Sequence, residues 1–233
     1  MILFFLSFGF LVDPALAAEP MGAMARYQMG ITAERAGNME GALKYYEEAV
    51  RIGGDIRAGV GALIRIAHIQ MIHRDLAESE RTILLALQRD PSNPDALLMQ
   101  ARLWLMQDKP RRAEKNFEEL SRREPLAIPA LIGILESALI RSDPAAIRQA
   151  HGRIMARIGD SIDRMRAAQR AREDAEFFAA AQKDNVAVFL AELAFFLDPT
   201  PASKEFLAMV RYQVNQIDSA AELFQELLSD PES

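Results

Sequence analysis

The chain has 233 residues, half of them hydrophobic and 26% charged, with a net charge of −6. That balance describes a globular protein, neither disordered nor basic enough for general nucleic-acid binding. There is no cysteine, which removes disulfides, thiol nucleophiles, thiolate metal sites and the acylated cysteine of a bacterial lipoprotein.

Met1 to Ala17 reads as a secretory signal. Ile2 to Val12 is an apolar run, Pro14 breaks it, and Ala15-Leu16-Ala17 supplies the small residues that a signal peptidase requires. No Lys or Arg precedes the run. Cleavage is expected between Ala17 and Ala18, which gives a periplasmic or secreted protein. The run is shorter than the roughly 20 apolar residues that span a bilayer, so any membrane contact is peripheral.

The rest, 18–233, reads as a single all-α array of about six helical hairpins, and no segment alternates with period two long enough to predict a sheet. The pattern is clearest in the middle. Asn93 is placed to cap a helix, Pro94 suits its first position, and Asp95 complements its dipole. Leu97, Ala101 and Trp104 follow at i, i+4, i+7. After a turn at Gln107-Asp108-Lys109-Pro110, a second helix carries Ala113, Phe117 and Leu120 at the same spacing, and Pro125 ends the unit. Pro91 recurs as Pro125, and Ala67 as Ala101, both 34 residues later.

A 34-residue period of paired helices, with small residues at the helix crossing, an aromatic beside them and a closing proline, resembles the tetratricopeptide repeat (TPR). The best-matching units are 23–56, 60–93 and 94–127, followed by degenerate hairpins at 128–158, 160–198 and 200–230. The second unit has Ser79 where the pattern has a small apolar residue, and the first has Gly53-Gly54 in place of the closing proline. The resemblance implies a right-handed superhelical solenoid whose first helices line a concave groove. In its register, one inward row is Tyr27, Ile64, Leu98 and Ile132, and the next is Ile31, His68, Arg102 and Glu136. The Lys and Asn that hold a carboxylate in chaperone-binding members are absent from these rows. The expected ligand is an apolar helix or extended segment of a partner protein, oriented by Arg102 and Glu136, with Tyr27, Ile31, Ile64, His68, Leu98, Arg102 and Ile132 as the groove residues.

One charge feature stands apart. Seven arginines between Arg148 and Arg172 face only Asp160 and Asp163, a net of +5. One reading is a solvated helix flank, with Ile147, Ile154, Ile158, Ile162 and Met165 as the buried stripe and Asp160 paired to Arg164. The other is a docking patch for an acidic partner or lipid headgroups, with Arg164, Arg166 and Arg170 at its centre.

Catalytic motifs are missing. His68 and His73 are five residues apart and point about 140° from each other on a helix, which rules out a shared metal. Gly59-Val60-Gly61 has no preceding strand and is not a phosphate loop. No metal, cofactor or catalytic residue is assigned. The expected function is a non-catalytic scaffold or adaptor of the bacterial cell envelope. Two alternatives stand beside it: a self-assembling structural protein, and an enzyme or cofactor carrier.

Overall fold

The structure, a computed structural model, describes residues 22–229. The expected secretory signal, its expected cleavage site and the terminal Asp230-Pro231 lie outside them. Among the described residues there are twelve α-helices and no strand. In order they are α1 (Ala23–Arg35), α2 (Met39–Ile52), α3 (Ile56–Ile72), α4 (Leu76–Arg89), α5 (Pro94–Met106), α6 (Pro110–Leu120), α7 (Ala127–Ile140), α8 (Pro144–Arg157), α9 (Ser161–Ala180), α10 (Asp184–Leu197), α11 (Pro201–Gln213) and α12 (Ile217–Ser229). They pack as six consecutive pairs. None is long and apolar enough to cross a membrane.

Each pair turns in the same way. The second residue past the first helix takes a positive φ: Gly37, Arg74, Asp108, Ser142, Gln182 and Asn215. A left-handed residue at this point lets the chain reverse while the last carbonyls of the helix stay bonded. The amide of Ser142, for example, donates to the Leu139 carbonyl at 2.9 Å. Helix starts are capped as the sequence suggests. The Asn93 side chain accepts from the Ala96 amide at 3.0 Å, Asp143 from Ala146 at 3.1 Å, and Thr200 from Ser203 at 3.2 Å. Asp160, expected to pair with Arg164, instead accepts from the Asp163 amide at 2.8 Å and caps α9.

The chain divides within α3 into two compact units, one ending at Leu63 and the other beginning at Ile64. In the first unit, Gly30 lies flat against Tyr46. A Cβ on Gly30 would stand 2.4 Å from the Tyr46 ring, which explains why the small residue belongs there. Tyr27 packs on Tyr46, with ring centroids 5.9 Å apart.

In the second unit the pairs are held by small residues at the crossing points. Ser79 keeps this role despite its hydroxyl, because its Oγ donates to the Ala67 carbonyl at 3.0 Å and leaves no polar group unbonded. Phe117 is fully buried against Gly133 of the following pair, where an added Cβ would lie 2.4 Å from its ring. Ala130 to Ala138 of α7 are buried without interruption. A helix apolar on all sides is surrounded on all sides; α7 touches α5, α6, α8, α9 and α10. Part of that enclosure comes from α9, which has 20 residues where α5 and α11 have 13 and α7 has 14.

Candidate functional site

The inward rows of the second unit are not open to solvent. Leu98, Arg102, Ile132 and Glu136 are buried, and Ile64 and His68 are half-buried. Against Arg102, Glu136 and Ile64 lies the chain's own α9. Arg102 of α5 forms an ion pair with Asp174 of α9, and its guanidinium sits 5.3 Å from the centre of the Phe177 ring. Phe177 also packs against the cluster of Ala67, Met71, Ile83, Met99 and Leu103. The far end of α9 is held by two turns. Arg74 donates to the Ala181 carbonyl at 3.2 Å, and Lys183 pairs with Asp108. Tyr27 and Ile31 belong to the first unit, where both are half-buried.

Four ionisable side chains meet beneath α9: Arg102, Glu136, Arg170 and Asp174. Asp174 is fully buried and takes two arginines at once, Arg102 on Oδ1 and Nε of Arg170 on Oδ2 at 2.5 Å. Burial pushes its carboxyl upward, but the two guanidinium groups outweigh that and hold it below the ordinary range. Burial lowers Arg102, and Arg170 adds to the effect against the pull of Asp174. For Arg170, burial is outweighed by Asp174, and its proton is held more tightly than usual.

Glu136 behaves differently. Neither of its buried oxygens accepts a hydrogen bond. Burial first, then the neighbouring Asp174 carboxylate, raises its pKa well above the ordinary glutamate value, against the opposing pull of Arg170 and Arg102. Its proton is therefore held to higher pH than that of an exposed glutamate. Two guanidinium groups and two carboxyl groups share a largely buried site.

The arginine segment is also changed by the structure. Arg170 leaves the expected docking patch, because it turns inward onto Asp174. Arg164 and Arg166 are exposed. Arg153 grips Glu118 through two bonds of 2.5 and 3.0 Å, Arg157 pairs with Glu124, and Arg172 pairs with Asp198 at 2.8 Å. The expected apolar stripe is buried only in part. Ile154 is in the core, but Ile162 and Met165 are 50% and 57% exposed.

No group of His, Asp and Glu among the described residues is arranged to hold a metal. A shallow pocket of about 170 Å³ lies between α8 and α10, lined by His151, Phe189, Glu192, Leu193 and Phe196. It lacks the set of convergent polar groups that a small-molecule site uses.

Helices in consecutive pairs, small residues at each crossing and a 34-residue spacing of the left-handed turns at Arg74, Asp108 and Ser142 define the tetratricopeptide-repeat fold. A tetratricopeptide repeat protein from Parabacteroides merdae shares it, with a TM-score of 0.52 over 90% of this chain and 80% of that one at 15% identity. A thermophilic TPR protein from Thermus thermophilus aligns over 91% of this chain and 93% of its own with a TM-score of 0.36 and 16% identity. The statement of fold rests on the first. No family model matches the sequence, and no curated protein is similar to it.

Proposed function

We propose that this chain is a non-catalytic scaffold of the bacterial cell envelope that holds a helical segment of a partner protein against the inward faces of α3, α5 and α7. The observation that supports it is that those faces already accommodate a helix. Arg102 supplies a carboxylate-binding cation, the Phe177 ring stacks on it, and Ile64 packs against the same apolar cluster as Phe177. Helix-in-groove binding uses this combination of apolar wall and orienting charge. Export by Met1–Ala17 places the protein in the envelope in this reading.

Two measurements test it. A photocrosslinking amino acid in place of Ile64, followed by mass spectrometry of whole cells, should yield one dominant protein adduct. Sequencing of the native N-terminus should find Ala18. Adducts no richer than those from an exposed control position sink the scaffold reading, and a native chain that begins at Met1 sinks export.

A further inference from the structure

The face that α9 turns toward α5 is not the face that joins it to its own hairpin partner. Arg170, Asp174 and Phe177 follow at i, i+4, i+7 along one stripe. The fully buried Ala167, Ala171, Ala175 and Phe178 form another, about a quarter-turn round the helix. Ala187, Ala191 and Ala194 of α10 are equally buried and bring the two helices close. Because α9 also touches α7 and α11, it would have to leave α5 and α7 together, and the α9–α10 contact itself would remain.

The joint between α9 and the helices beneath it is incompletely bonded. Neither buried oxygen of Glu136 accepts a hydrogen bond, and Nη2 of Arg170 is buried without a partner; groups of this kind weigh against the closed arrangement. Only Ile158, Gly159 and Asp160 connect α8 to α9, and Gly159 has open space around it.

We propose that α9 is a displaceable lid, and that the partner which displaces it is a helical protein segment carrying a carboxylate three residues before an aromatic side chain, the pair that Asp174 and Phe177 present. This rests on the scaffold reading above. The chemistry follows from what α9 leaves behind. A buried guanidinium at Arg102 demands a carboxylate in return, and its exposed face accepts an aromatic ring. A phosphate would add a second negative charge beside the buried Glu136, which already resists one.

The probe is a fluorescein-labelled peptide of residues 164–183, read by anisotropy against the full chain. Three proteins are compared: the natural sequence, Asp174→Asn, and Asp108→Cys with Lys183→Cys joined by a bis-maleimide. The natural chain has no other thiol, so the join is specific. A lid that opens more often binds the probe more tightly in proportion. Asp174→Asn should therefore capture the peptide about tenfold more tightly than the natural chain, and the joined protein should lose capture. A peptide with Phe177→Ala should not be captured. Equal capture by the natural chain and Asp174→Asn, or by the joined and unjoined proteins, overturns the lid. If Asp174→Asn loses its helical circular dichroism, Leu98→Cys decides. Thiol labelling faster than global unfolding allows supports the lid, and labelling that tracks global unfolding overturns it. A lid that passes with no adduct in cells indicts the scaffold reading; adducts with a lid that never opens indict the lid alone.

Discussion

Phe117 and Gly133 are one fitted pair, and their energetics should be coupled. Phe117→Ala is expected to cost about 3–5 kcal/mol, the range for a fully buried phenylalanine. Gly133→Ala should cost about 1–3 kcal/mol, because the added methyl meets ring atoms in a packed core. Phe117→Leu introduced with Gly133→Ala should recover part of that loss, so the two changes will not add. Urea denaturation of the natural chain, the three single variants and the double variant checks all three statements. Glu136 gives a prediction of opposite sign. Its folded pKa lies above the unfolded value, so its contribution is fully favourable below the ordinary carboxylate range and is lost as pH rises through the folded pKa. Glu136→Gln keeps the shape and supplies a donor to Asp174. It should raise the unfolding temperature at about pH 7.5, with the gain shrinking toward about pH 4. A gain that is constant with pH would falsify the raised pKa of Glu136.

Among the elements, the hairpin turns carry a small strain that can be removed. Ser142 takes a φ of 51° at an exposed turn. Ser142→Gly should stabilise the chain by about 0.5–1 kcal/mol, because glycine reaches this conformation without a Cβ clash. Thermal unfolding reads the change directly. The helices themselves were legible because their boundaries are local. Asn93-Pro94 and Asp143-Pro144 state a cap and a first turn within two residues, and Ala101 with Ala113 marks a close crossing. The role of α9 was not legible. A 34-residue period reports which helices neighbour each other in the chain, and it contains no term for a helix that reaches two pairs back. Two signs were present nonetheless: Arg102 and Glu136 occupied inward positions, where an unpaired charge is costly, and Arg170 and Asp174 stood four apart on a later helix.

At the scale of the whole molecule, the arginine-rich stretch is largely internal wiring. Its charges go to Glu118, Glu124, Asp174 and Asp198. The expectation of a docking patch narrows to the exposed Arg164 and Arg166 beside Ile162 and Met165. If that patch binds an acidic surface, Arg164→Glu with Arg166→Glu should weaken retention on anionic vesicles at low salt and leave helix content unchanged. The difference should vanish at about 1 M salt, where screening acts within about 3 Å. Equal retention of both proteins at low salt would assign these arginines to solvent.

The Arg102–Asp174 contact joins residues 72 apart in the chain, and this changes how the second unit should come apart. A repeat array touching only its neighbours behaves as a row of weakly linked blocks, each able to melt or fold nearly by itself. A tie from the ninth helix back to the fifth, reinforced at Arg74 and Asp108, closes that row into a loop. Long-range contacts of this kind slow folding, since their closure entropy is spent before they form. The second unit should therefore melt in one step, with a denaturant sensitivity set by the surface of the whole unit. Cutting the tie should turn that single step into a staggered one.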